Sequence, residues 1–202
     1  VVTSSEELIA EQVEMDIVPP VRRFTVQEYY RMAEVGVLRP EERVELINGE
    51  IRVMSPQGPK HSASGTRADN CFRKHLGNRA VVRIQMPIHI DDDSEPEPDV
   101  VLAVPDENEY DDHHPTPQEI ILVMEITAST LSYDRQEKSC LYARAGIIQY
   151  CLLNLRAREL EDYRDPGPDG YRSKRTYRAD QSFNLAAFPD VLINVAELLP
   201  RA

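Results

Sequence analysis

The alternation of apolar and polar residues divides the chain into short elements. Thr25-Val26-Gln27-Glu28 has a hydroxyl and a carboxylate three apart, the arrangement that caps exposed amides at a helix start. Phe24 and Tyr29 flank it as a hydrophobic staple, and the helix is expected to run to about Val35 and stop at Gly36. Arg43–Ile47 and Glu50–Met54 alternate around Asn48-Gly49, a pair that accepts positive φ at both turn positions and so predicts a hairpin. Pro56, Gly58 and Pro59 then break the strand. His61 to Leu76 reads as a helix, with Ala68, Phe72 and Leu76 spaced four apart.

Strands are expected at roughly 80–90, 99–104 and 119–127. The last contains Ile120-Ile-Leu-Val-Met124, an apolar run suited to a strand buried on both faces. Asp134-Arg-Gln-Glu137 has the spacing of a second capping box, opening a helix to about Ala145 that stops at Gly146. Ile147–Leu155 and Glu159–Tyr163 are strand-like, and Asp165–Gly170 turns the chain into a short strand near Tyr171–Tyr177. The tail from Phe188 ends in a short strand or helical turn. This order predicts a mixed α/β sheet flanked by helices, with residues 21–202 forming one domain. Residues 1–20, acidic and ending in Pro19-Pro20, read as a weakly ordered arm.

Composition narrows the class. No stretch approaches the roughly 20 apolar residues of a membrane span, and the first residues lack the basic-then-apolar pattern of a secretory signal. Cys71, Cys140 and Cys151 are odd in number and lack CxxC spacing, which argues against a disulfide framework or a thiolate zinc site and favours a reducing cytoplasm. The net charge of −12 opposes nucleic-acid binding. It is concentrated, however: residues 91–112 hold eleven acids and no Lys or Arg, and residues 1–20 hold five more. Without those two segments the balance is about +4.

Two carboxylates stand out within this pattern. Asp99 lies at the mouth of a strand behind Pro96 and Pro98, which keep its approach extended. Glu125 follows five consecutive apolar residues, where a carboxylate is costly unless a cation, metal or basic side chain, neutralises it. Two hard oxygen ligands brought together suit a divalent metal acting on a phosphodiester, with a lysine to assist the attacking water. Thr127, two residues after Glu125, supplies no charge, which makes Lys138 in the following helix the nearest replacement. Tyr142 shares its helical face. Taken singly, Asp99 also reads as a strand-entry cap or part of a solvated acidic loop, and Lys138 as a solvent-facing helix residue or an i,i+4 partner of Asp134.

Glu45-Leu-Ile-Asn-Gly-Glu, Met54-Ser-Pro, His61, Pro96-Glu-Pro-Asp99-Val, Glu125-Ile-Thr with Ser129-Thr130, Tyr133-Asp134-Arg-Gln-Glu-Lys138 and Tyr142-Ala-Arg-Ala-Gly-Ile occur in that order. Over roughly residues 24–165 the chain resembles the Uma-type family of restriction endonucleases, a branch of the PD-(D/E)XK nuclease superfamily. The resemblance implies a restriction-endonuclease-like core and a Mg²⁺- or Mn²⁺-dependent endonuclease acting on DNA as a homodimer. It also implies metal ligands at Asp99, Glu125 and the carbonyl of Ile126, with the catalytic lysine migrated to Lys138. Where relatives commonly read Glu-Tyr-Trp-Leu-Val-Asp, this chain has Gln149-Tyr-Cys-Leu-Leu-Asn154.

Other residues keep two readings. Glu45 is either an accessory ligand or a cross-strand partner of Arg52. His61 either touches phosphate or serves the helix start. Arg67, Arg73 and Lys74 either contact a nucleic-acid backbone or form a solvated helix face. The basic, tyrosine-rich stretch Tyr171–Arg178 suits an edge strand protected by charge, or a surface for stacking bases. The competing function class is a non-catalytic binding or assembly module on the same fold, which the acidic surface favours.

Overall fold

A computed structural model describes residues 19–201. The expected N-terminal arm therefore lies outside the described residues except for Pro19-Pro20. The first helix, α1 (Val26–Glu34), has the predicted box: the Thr25 hydroxyl accepts from Glu28 N and the Glu28 carboxylate accepts from Thr25 N. The hairpin β1 (Val44–Ile47) and β2 (Glu50–Val53) turns through Asn48 and Gly49, both at positive φ, and pairs Glu45 with Arg52 in register. Its buried strand, β1, is docked on the acidic segment, with Glu95 N donating to Leu46 O at 2.8 Å.

A six-stranded sheet carries the core, in the order β3 (Val81–Ile84), β4 (Val100–Ala103), β5 (Ile120–Thr127), β6 (Gln149–Asn154), β7 (Glu159–Arg164) and β8 (Ser173–Arg178). Neighbours are antiparallel except β5 and β6, whose parallel pairing requires a crossover. β5 is central and buried along its whole length, as its apolar run implies. The basic strand β8 stands at the sheet edge. On one face, Ala68, Phe72 and Leu76 of α2 (Pro59–Leu76) pack with Val100, Leu102, Leu122 and Met124. On the other, Leu141 and Tyr142 pack with Val101, Val123 and Tyr150. The antiparallel pair β9 (Ser182–Asn184) and β10 (Leu192–Asn194) and the closing turn α5 (Val195–Leu198) add Phe183, Ile193, Val195 and Leu198 to the α2 face.

Three expectations change. The strand expected at 80–90 ends at Ile84, because Gln85 takes φ +51 and leaves the ladder. Asp134 is not a helix cap: the crossover begins three residues earlier, with α3 (Leu131–Tyr133), a π-helical turn (Asp134–Lys138) and α4 (Ser139–Arg144) in succession. Asp134 is already helical at φ −64, its N–H bonded to Thr130 O at 3.0 Å and its carboxylate to the Thr130 hydroxyl at 2.6 Å. The acceptor expected to begin the helix is thus consumed inside it. β9 was not anticipated, since three residues carry too little periodicity to read.

Candidate active site

The site forms where β4 begins and β5 runs on. Val100 pairs with Met124, so residues 125–127 extend past the end of β4 and their backbone on that side lacks a ladder partner. Asp99 fills the gap: its Oδ2 accepts from Ile126 N at 2.8 Å. The prolines before it contribute no N–H to a ladder, which helps end the strand here. His61, in the first turn of α2, brings Nε2 to 3.1 Å from the same Oδ2. Among the described residues Asp99 Oδ1 has only two long contacts, 3.5 Å each, to the amides of Gln57 and Gln85.

Glu125 lies on the same face of β5 as Val123, beneath the crossover helix. Its Oε1 accepts from Lys138 Nζ at 3.0 Å and from Tyr142 Oη at 2.9 Å. Lys138 closes the π-helical turn, whose extra residue per turn rotates the side chain toward the strand. Its ammonium also lies 3.1 Å from Glu45 Oε2, which accepts from Glu97 N at 3.1 Å. Glu45 and Arg52 face each other in the backbone register, yet the Arg52 guanidinium bonds to Glu50, leaving Glu45 to Lys138. Thr127, the position that lacks a lysine, is buried and reaches Asp134 through the Thr130 hydroxyl.

The electrostatics follow from burial. Glu45, Asp99, Glu125 and Asp134 are all less than 10% exposed, against Lys138 and His61 as the basic groups among them. Burial would lower the Lys138 pKa, but the Glu125 and Glu45 carboxylates outweigh it and hold the ammonium above its ordinary range. Burial pushes the Glu125 carboxyl up, opposed by the Lys138 charge and reinforced by Asp99. Burial likewise raises Asp134 against its bond from Thr130. For His61 burial pulls down, and the Asp99 carboxylate and Ile126 carbonyl more than reverse it. These four shifts all run upward, as an excess of buried negative charge requires.

These groups border one open cavity of about 560 Å³, with Glu45, His61, Asp99, Glu125, Asp134 and Lys138 on its wall. Its donor set fits a hard divalent cation. Among the described residues Asp99 Oδ1 has no partner closer than 3.5 Å and Glu125 Oε2 takes no hydrogen bond, and the Ile126 carbonyl is adjacent. Arg67, Arg73 and Lys74 lie elsewhere: Arg67 bonds the Ala196 carbonyl, Arg73 bonds Asp69 and the Val82 carbonyl, and Lys74 approaches Glu197. Gln149 and Asn154, at the departures from the usual run, serve local structure. Gln149 bonds Asp162 and Ala186 N, and Asn154 accepts from the turn amides of residues 156 and 157. Sequence reasoning missed Gln57 and Gln85 at the site, which no periodicity marks, and read Asp134 as a helix cap or a partner of Lys138.

The fold is thus a mixed sheet with helices on both faces and carboxylates gathered at the end of its central strands. A crystal structure of a protein titled a "putative nuclease belonging to DUF820", from Anabaena variabilis, superposes with a TM-score of 0.65 at 16% identity, covering 87% of this chain and 97% of that one. Residues 26–196 match the model of the Uma2 family, described as "Putative restriction endonuclease", and the chain belongs to that family. No curated protein matches it. Among the described residues no helix is long and apolar enough to cross a membrane.

Proposed function

We propose that this protein is a Mg²⁺- or Mn²⁺-dependent endonuclease that hydrolyses phosphodiester bonds of DNA. The observation that carries the reading is the convergence of Asp99, Glu125 and Lys138, distant in sequence, on one open cavity at the sheet end. Asp99 Oδ1, Glu125 Oε2 and the Ile126 carbonyl are the atoms that would hold the metal. When bound, such an ion polarises the phosphodiester and acidifies its water.

The chain's own residues do the rest. Lys138, held as an ammonium between Glu125 and Glu45, orients the water and offsets charge developing on phosphorus; it is a poor general base because its partners favour the proton. Tyr142 fixes the Glu125 carboxylate through its hydroxyl, and Glu45 fixes Lys138. His61 orients Asp99. Cutting both strands of a duplex needs two such sites, so a homodimer belongs to this reading, as does action in the cytoplasm.

The test is cleavage of supercoiled plasmid with Mg²⁺ or Mn²⁺ by the wild type, Asp99→Ala and Lys138→Ala. Nicking by the wild type, with a loss of about 10²-fold or more in both variants, is the expected result. Calorimetric Mn²⁺ binding is expected to vanish in Asp99→Ala and persist in Lys138→Ala. Equal nicking by all three proteins refutes the site. No hydrolysis of any nucleic acid, together with capture of a protein partner, favours the binding-module reading that the acidic segment 91–112 motivates. A monomer by light scattering removes the dimer.

A further inference from the structure

A second group of ligating side chains lies outside the cavity. Cys71 and His75, four apart on α2, share a helical face, and Glu197 of α5 meets them across the interface. Sulfur, imidazole nitrogen and a carboxylate oxygen all lie within 4.8 Å of one another. His75 Nε2 stands 3.5 Å from Glu197 Oε2. The three residues do not line the cavity, and along α2 Cys71 is about 15 Å from His61 at 1.5 Å per residue.

We propose that Cys71, His75 and Glu197 form a binding site for zinc, or a divalent transition metal of like preference, which ties α5 to α2. Four observations converge. The donor set of one thiolate, one imidazole and one carboxylate is the soft-to-borderline set zinc takes. Tetrahedral bonds of about 2.0–2.3 Å place ligand atoms roughly 3.3–3.6 Å apart, so small side-chain movements close the present spacing around an ion. A thiolate and a carboxylate cancel a dication, leaving the partly buried site neutral. The group also sits in the last turns of an 18-residue helix, where the backbone carbonyl end favours a cation.

Without the ion, burial and the Glu197 charge push the Cys71 thiol up to about 12, so it remains protonated. Binding forms the metal–sulfur bond, breaks the S–H bond and releases that proton to solvent. Lys74 Nζ, 3.9 Å from Glu197 and itself mostly exposed, can leave for solvent when the ion enters. Among the described residues no fourth side chain of these types joins the group, which leaves one position for water.

The test is titration of chelator-stripped full-length protein with Co²⁺, followed by displacement with Zn²⁺. The wild type, Asp99→Ala and Cys140→Ser are expected to develop a near-ultraviolet thiolate-to-cobalt band at one equivalent, which Zn²⁺ abolishes. Zn²⁺ should also raise the melting temperature of these proteins. Cys71→Ser should lose the band. Because Cys71 is buried, His75→Gln and Glu197→Gln provide variants at half-buried positions, expected to fold normally and bind Co²⁺ more weakly. Absence of the band in the wild type overturns the proposal, as does its survival in Cys71→Ser or its loss in Cys140→Ser. Unchanged Co²⁺ affinity in both His75→Gln and Glu197→Gln overturns it too.

Discussion

Lys138→Met removes the ammonium from between two buried carboxylates while keeping most of the side-chain volume. In the wild type Nζ lies 3.0 Å from Glu125 and 3.1 Å from Glu45, with all three side chains about 5% exposed. Removing one partner of such a buried set leaves uncompensated charge and costs about 3–5 kcal/mol. A domain of ordinary stability, about 5–15 kcal/mol, survives this but unfolds at much lower urea. The variant also relieves its charge by protonating one carboxylate, whose folded pKa then stands above the ordinary 4.5. A group raised in the folded state contributes stability below its unfolded pKa and loses it as pH rises through the folded pKa. Glu125 is already raised in the wild type, so the deficit against it should be smaller near pH 5 than near pH 8 by about 1.4 kcal/mol for each unit by which the variant's pKa exceeds the wild type's within that window. Urea melts at both pH values measure it. Glu45→Gln added to Lys138→Met should recover about 1 kcal/mol or more, because it removes one of the stranded charges. A deficit under about 1 kcal/mol that does not change with pH, and no recovery in the double variant, would refute the reasoning.

Tyr142→Phe deletes one bond to Glu125 Oε1 and leaves the shape intact; urea melts should show a loss of about 1.5–3 kcal/mol, with plasmid nicking reduced because Glu125 is less firmly fixed. Burial pushes Glu161 up, but bonds from Arg135, Lys174 and Tyr163 outweigh it and hold its pKa at about 2. Its stabilising effect is thus present above the ordinary 4.5 and lost as pH falls through about 2. Solvent screening of the two bases, each about 40% exposed, limits it to about 1–2 kcal/mol. Acid titration of stability in Glu161→Gln should show that slope flattened. Gly49→Ala, at φ +73 with the new Cβ 2.4 Å from Arg23 Cβ, should cost at least about 1 kcal/mol by thermal melts, since the clash adds to the backbone strain.

Local chemistry made much of the fold readable. A hydroxyl and carboxylate three apart fix the start of α1, Asn48-Gly49 supplies the left-handed turn, and the apolar run before Glu125 marks the central strand. Those effects act over a few residues, so the sequence alone carries them. It also marked Glu125 as needing a cation, because a carboxylate after five apolar residues must be neutralised. Asp99 and Lys138 each kept an ordinary reading when taken singly, and the ordered motifs of the family resemblance joined them to Glu125.

Tertiary structure decided which groups meet. Glu45 had two readings, and only docking of the hairpin beside the crossover helix turns it from Arg52 to Lys138. Asp134 has the local spacing of a cap, but the Thr130 hydroxyl and the path from β5 to β6 carry the helix past it. His61 reaches Asp99 because α2 covers the sheet face where β4 begins. Glu197 meets His75 across 122 residues of chain. Such encounters depend on how whole elements pack, and residues far apart in sequence leave no periodicity by which their contact can be read.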